Sequence, residues 1–222
     1  MHLRKGKKIL IYFFLLISVG SINNISFNGL NLKSINEIKV SGLEDQDNAA
    51  LLYEIKKLNL GNIFFIDSKE IKKIISTNSL VEKFEIFKNY PYSLNINVQK
   101  TNFLAKINKN GKIYLIGSNA KISKTNLFTD ELPFIFGKPE IINFLNLKKK
   151  IDQSKFSYKS IKNLYFYPSK RWDIELKNNI LIKLPKDNVK NSLDQSFEFL
   201  ANSNLNDVQV IDARFKNQII TK

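Results

Sequence analysis

Two of the side chains that most often carry covalent or metal chemistry are all but missing from this 222-residue chain, which has no cysteine and a single histidine, His2. Thiolate nucleophiles, cysteine-bound zinc, Ser-His-Asp triads and histidine cages cannot be assembled within it. Glu70, Glu82 and Glu85 are scattered carboxylates, with no spacing that sets up an acid pair of the glycosidase kind. Phe215 to Thr221 (FKNQIIT) reads as a last strand with no further strand to cover it. An uncovered edge presents free N–H and C=O groups on which an extended partner segment can build. Lys216, Asn217 and Gln218 would discourage casual aggregation there, while Ile219 and Ile220 offer knobs or pockets. Phe215 is a candidate contact at the start of the edge. Asp212 and Arg214 form either part of that surface or a structural ion pair. Arg171, beside Trp172, is expected to be exposed and able to meet an acidic partner.

Composition narrows the partner further. With 43% hydrophobic and 25% charged residues the chain reads as globular. Its net charge of +15 invites nucleic acid, yet only three of its 35 basic residues are arginine (Arg4, Arg171, Arg214). Arginine is the residue best suited to bidentate phosphate and guanine contacts. The lysines are spread among asparagines and isoleucines, a compositional bias more than a binding stripe. A phosphate-binding face is thus the minority reading, and the partners expected include neither nucleic acid nor a small-molecule substrate.

The first residues address the chain to a membrane. Arg4, Lys5, Lys7 and Lys8 precede the apolar run Ile9–Val19, followed by Gly20, Ser21 and Ile22. A basic flank of this kind leaves the N-terminus in the cytoplasm and exports the rest. The run reaches the roughly 20 residues that a bilayer needs only if Ile25 and Phe27 lie in the interface. That gives a cytoplasmic tail at 1–8, a transmembrane segment at 9–27 and an Asn/Ser/Gly-rich tether at 28–34. Gly20-Ser21 leaves cleavage of a signal peptide open beside an uncleaved anchor.

Beyond the tether the periodicity changes twice. Ile35–Gly42 reads as a strand. Leu51, Leu52, Ile55 and Leu58 share one face of a helix over Asn48–Leu58, with Asp45 or Asp47 as its N-cap. Asp67-Ser-Lys-Glu70 has capping-box spacing and opens a second helix with Ile71, Ile74 and Ile75 inward. Val81–Lys88 and Ser93–Lys100 alternate as strands around a Tyr90-Pro91 turn. This strand-helix-helix-strand-strand unit spans 35–101.

Residues 102–222 read as an antiparallel-rich α+β domain, so the fold class is α+β. Asn110-Gly111 joins Leu104–Asn108 to Lys112–Gly117 in a hairpin. Leu132-Pro133 and Gly137 bracket a turn. Ile142, Leu145 and Ile151 anchor a helix over Ile141–Ile151. Strands follow at Ile161–Tyr167 and Trp172–Lys177, the latter with Trp172, Ile174 and Leu176 inward and Asp173, Glu175 and Lys177 outward. After the Asn178-Asn179 turn, Ile180, Ile182 and Leu184 form a strand, and Val189, Leu193, Phe197 and Leu200 form a helix face. Val208–Asp212 and Asn217–Thr221 close the chain.

Taken in order, these features resemble the bacterial cell-division family FtsQ, also called DivIB. Val40-Ser-Gly42 and Gly61-Asn-Ile-Phe64-Phe-Ile-Asp67 fit the opening of its POTRA domain, and Val81…Tyr90-Pro91-Tyr-Ser-Leu94-Asn-Ile96-Asn-Val98 fits the last two strands. Leu132-Pro133…Gly137, Trp172-Asp-Ile-Glu-Leu176 and Ile182-Lys-Leu184-Pro185 fit the second domain, and Val210-Ile-Asp212-Ala-Arg214-Phe215 its C-terminal Asp-x-Arg strand. Gly117-Ser-Asn-Ala120 departs from the family's usual Asp-x-x-Gly, and Gln99, Lys100 and Asn102-Phe103 from its acidic residue and Arg-Pro pair.

The resemblance implies a non-catalytic scaffold without cofactor or metal: a single N-terminal transmembrane helix, a POTRA domain and an FtsQ-type β domain. It implies a single-pass type II protein of the cell inner membrane, with its bulk in the periplasm at the division septum. There the family holds FtsB and FtsL homologues by β-augmentation on the C-terminal edge strand, alongside FtsK, FtsW and FtsI homologues, linking early division proteins to septal peptidoglycan synthesis. A signal-cleaved periplasmic POTRA module for secretion or outer-membrane assembly is the alternative, though no barrel follows here.

Overall fold

The computed structural model describes residues 3–22, 34–124, 131–202, 208–215 and 218–222. Most of the expected tether, and Lys216 and Asn217 of the expected last strand, lie outside the described residues.

Helix α1 (Leu3–Ile22) carries its basic residues first and the apolar run after them. Among the described residues no helix is long and apolar enough to cross a membrane. Only Ile9–Ile22 of α1 is free of charge, short of the roughly 20 residues a span requires. The residues expected to complete it, 23–27, fall outside those described.

A three-stranded sheet follows. It comprises β1 (Glu37–Ser41), β2 (Val81–Asn89) and β3 (Ser93–Lys100), ordered β1-β3-β2, with β1 parallel and β2 antiparallel to β3. Helices α2 (Asp45–Lys56) and α3 (Ser68–Thr77) cover it, bringing Leu51, Ile55, Ile71 and Ile75 onto Val81, Leu94, Ile96 and Val98. Each such side chain contributes about 1.5–3 kcal/mol on burial, offset by the entropy of ordering the chain. Asp67 caps α3 by accepting from the Lys69 N–H at 2.9 Å. The cap of α2 differs from expectation. Glu44 holds the position without a side-chain bond to the helix, its carboxylate accepting from Lys100 instead, and Asp45 and Asp47 stand in the first turn, where the helix dipole favours acids. Gly42 turns the chain between β1 and α2 at φ +109°, and a Cβ there would lie 1.7 Å from the Val98 carbonyl oxygen. No other residue fits.

The second sheet is mixed and has nine strands: β4 (Phe103–Lys109), β5 (Lys112–Gly117), β6 (Ile122–Ser123), β7 (Phe134–Phe136), β8 (Ile161–Phe166), β9 (Trp172–Leu176), β10 (Leu181–Lys183), β11 (Val210–Asp212) and β12 (Ile220–Thr221). Their order is β12-β11-β10-β9-β8-β7-β4-β5-β6. Antiparallel ladders predominate, but β4–β7, β7–β8 and β10–β11 are parallel. The Asn110-Gly111 hairpin has both residues at positive φ, 53° and 78°, as a two-residue turn of the right twist requires.

Helices α4 (Ile141–Asp152) and α5 (Val189–Asn202) cover one face, setting Phe144, Leu147, Ile151, Val189 and Leu193 against Ile135, Leu164, Trp172, Ile174, Ile182 and Ile211. Trp172 is core, as expected. Ile142 is not an anchor: it is 56% exposed, and Phe144 and Leu147 take its place. Phe197 is also more exposed than its helical spacing suggests.

The two sheets meet through a polar lock. The Glu82 carboxylate accepts from the hydroxyls of Thr101 and Ser118, each at 2.8 Å. Asn119 Nδ2 donates to the carbonyls of Ser79 and Val81, each at 2.9 Å. Lys121 Nζ reaches the carbonyls of Ser76 and, at 2.9 Å, Asn78. Burial pulls the Lys121 ammonium below its ordinary pKa, against the opposing pull of Glu82.

Candidate partner-binding edge

The last strand is shorter than its sequence suggests. Among the described residues β12 covers Ile220–Thr221 alone, at the rim of the nine-stranded sheet, and Phe215, Gln218 and Ile219 stand outside it. It pairs antiparallel with β11 in the register Ile211↔Thr221 and Asp212↔Ile220. Lys222 and Val210 exchange both main-chain bonds, Lys222 N–H to Val210 O at 3.0 Å and Val210 N–H to Lys222 O at 2.9 Å. Antiparallel ladders alternate such pairs with pairs that share no bond. Thr221 therefore points its N–H and C=O away from β11, to the open side, as does Ile219 by the same alternation. Among the described residues no strand lies beyond β12.

The side chains sort by face. Ile220 is 46% exposed, whereas Ile219 packs against the sheet's core, so the two are not equivalent contacts. Gln218 is exposed, and its N–H reaches the Phe215 carbonyl at 3.4 Å. Phe215, 51% exposed, lines a groove of about 390 Å³ with Arg214, Pro185 and the Asn188–Gln195 side of α5. Arg214 folds back on Asp212: Nε donates to Oδ1 at 2.7 Å and Nη2 to Oδ2, a bidentate pair. Hydrogen bonding from Arg214 holds the Asp212 carboxyl below the usual carboxylate range. The Asp-x-Arg motif is thus an internal ion pair that fixes the end of β11.

Arg171 corrects an expectation. It is not an exposed rim charge. Its side chain is 27% accessible, lies over the Tyr167 ring at 5.0 Å, and places Nε 3.5 Å from Asp173 Oδ1. Asp173, expected to face outward, is 1% exposed. Burial raises its pKa, opposed by the Tyr167 hydroxyl and the Arg171 and Lys183 cations. Lys183 stands opposite both Asp173 and Asp212 in the adjacent ladders, so charges alternate along one row that ends at Ile220. Along the neighbouring strands the Glu175 carboxylate accepts from Tyr165 at 2.6 Å and Asn163 at 2.9 Å. Burial and that carboxylate push the Tyr165 phenol up to about 12. Among the described residues no three acids or histidines converge as metal donors.

A β-α-α-β-β unit followed by a nine-stranded mixed sheet is a two-part α+β architecture whose first part is of the POTRA type. A family model for the POTRA domain, FtsQ-type, matches residues 33–100. A second, for cell division protein FtsQ/DivIB, C-terminal, matches residues 97–214, more than half of the chain. The chain belongs to the FtsQ/DivIB family of cell-division proteins.

Cell division protein DivIB of Bacillus subtilis (strain 168) is 25% identical over 176 residues, covering 75% of this chain and 64% of that protein. The chain thus spans a little under two-thirds of the length of that relative. The major extracytoplasmic domain of the trans isomer of DivIB from Geobacillus stearothermophilus matches 49% of this chain and 98% of its own, at 9% identity and a TM-score of 0.36.

Proposed function

We propose that this protein is a non-catalytic scaffold of the division machinery, holding an FtsB homologue, and through it FtsL, on the outer edge of β12. Membership of the FtsQ/DivIB family supports the division role. The observation that carries the partner mode is the outward main chain of Thr221 at the sheet's rim. Main-chain bonds there would supply affinity, and Ile220 and Phe215 specificity, with Arg214, Lys216, Asn217 and Gln218 as further candidate contacts. Arg171, partly accessible beside Asp173 in the row behind the edge, would be at most a peripheral contact. The lack of cysteine, and of any histidine but His2, supports a role without chemistry.

Residues 35–101 serve as the POTRA domain and 102–222 as the β domain. Helix α1 is the inner-membrane anchor. From Ile9 to Val19 its large apolar side chains are 50–72% exposed all round, and basic residues precede them. The bulk of the chain would then stand in the periplasm at the septum, within reach of FtsK, FtsW and FtsI homologues.

Copurification of the full chain with its FtsB homologue from membranes tests the reading. The wild type should bring the partner with it and Ile220→Asp should not. Equal recovery with both would overturn the edge as the binding surface.

A further inference from the structure

The first sheet has two ends, and the second domain occupies one of them. Ser41, Val81 and Lys100 lie at the end that carries the polar lock. At the other, Glu37, Asn89 and Ser93 stand in register, and the chain arrives there from α1. Ser34 bridges Asn62, the Ile35 N–H donates to the Gly61 carbonyl at 3.0 Å, and the Asn36 N–H to the Tyr92 carbonyl at 3.3 Å.

Around this point of arrival are large aromatic side chains that the fold leaves in the open. Phe65 is 80% exposed, Tyr90 59%, Phe64 52% and Tyr92 37%. Phe64 and Tyr90 touch, with ring centroids 4.9 Å apart, so these two share one surface, and Phe65 and Tyr92 adjoin them along the chain. Its link is rigidly held: Asn62 Oδ1 accepts from the Phe64 N–H at 2.9 Å, and the Asn62 carbonyl from Phe65 at 3.1 Å. Monomeric proteins rarely expose such clusters without a use for them.

The position of the patch selects its occupant. Residues 23–33 alone separate the end of α1 from Ser34, and a chain of twelve steps spans at most about 40 Å. A headgroup layer is therefore within reach of this end of the sheet. Tyrosine and phenylalanine, apolar with a polar tip or none, suit the boundary between headgroups and acyl chains. Lys56 and the almost fully exposed Lys69 lie at the ends of α2 and α3 that flank the patch, and the chain's net charge of +15 does not oppose an anionic surface.

We propose that Phe64, Phe65, Tyr90 and Tyr92 form a lipid-docking face that seats the membrane-proximal end of the POTRA domain in the bilayer interface. The proposal rests on the reading of α1 as a membrane anchor and goes beyond it. The face fixes the orientation of the whole periplasmic part, so that the β12 edge is presented at a set height above the membrane.

The test uses the full chain with Phe65→Trp in phosphatidylcholine–phosphatidylglycerol vesicles containing acyl-brominated phosphatidylcholine. The native Trp172, buried in the second domain, serves as the reference. Retention after a carbonate wash reads the anchor, and quenching reads the docking face. The expected result is a retained protein whose residue-65 signal is quenched several-fold more than that of Trp172. A retained protein with equal quenching overturns the docking face and leaves the anchor standing. A protein washed off the vesicles removes both. A photoreactive group at residue 65 that cross-links to a protein and not to lipid would likewise overturn it, assigning the patch to a protein partner or a second copy.

Discussion

Thr221 stands opposite Ile211 in the outermost ladder as a pair that shares no hydrogen bond, and this turns the Thr221 amide to the open side of the sheet. Proline at that position removes a donor that the protein itself does not use. Thr221→Pro should therefore weaken binding of the FtsB homologue by at least about tenfold, or about 1.4 kcal/mol, with little change in thermal unfolding. Titration of the full chain with the partner, beside a melting curve, checks both halves.

Ile219 and Ile220 are neighbours with opposite fates. Ile219 packs against the core, so Ile219→Asp should destabilise the fold by about 1–3 kcal/mol through burial of a charge or loss of packing. Ile220 is 46% exposed, and Ile220→Asp should leave the melting temperature in place while reducing partner binding. Urea denaturation of the two variants separates them. Equal destabilisation would contradict the assigned faces.

Much of this could be read from the chain. The helical faces of α2 and α3, the alternation of β3 and the Asn110-Gly111 hairpin all declare themselves locally, because period and turn chemistry are local. Phe134–Phe136 did not: three residues between Pro133 and Gly137 look like a turn, yet β7 lies between β4 and β8 in the interior of the sheet. A strand that short has no room for a period. Asp173 faces away from Trp172 as alternation requires, but alternation gives a face and not its burial. Neighbours on β8 and β10, with Tyr167 and Arg171, close over it. The lock of Glu82 with Ser118, and of Ser79 and Val81 with Asn119, joins residues 36 to 40 positions apart, and no spacing rule connects them. Its one trace in the sequence is the departure at Gly117-Ser-Asn-Ala120.

That lock should govern how firmly the two sheets hold together. Asn119→Ala removes the Nδ2 donor shared by the part-buried carbonyls of Ser79, which keeps only the Ser123 hydroxyl at 3.3 Å, and Val81, at a cost of about 1–3 kcal/mol. Limited proteolysis near residue 101 should accelerate in the variant, while the isolated melting of each sheet's core changes little. Unchanged cleavage would contradict a rigid junction.

Asp212 gives the edge a pH dependence. Its carboxyl is held below the ordinary range in the fold, so it binds a proton less readily there than in the unfolded chain. The stability it contributes is complete above the ordinary carboxylate pKa and is lost as pH falls through the lowered one. Asp212→Asn should be less stable than the wild type at neutral pH, and the difference should close in acid. Urea midpoints measured at the two pH values read this directly. A gap that widens in acid would contradict the assignment.

The amides of Ile219 and Thr221 are where the account is most exposed. Hydrogen exchange at these two positions, followed in the full chain alone and with its FtsB homologue bound, measures whether the partner adds a strand there. Free exchange in the unbound protein and strong protection in the complex are predicted. Protection already present without the partner, or none gained on binding, would contradict the open edge as the site of assembly.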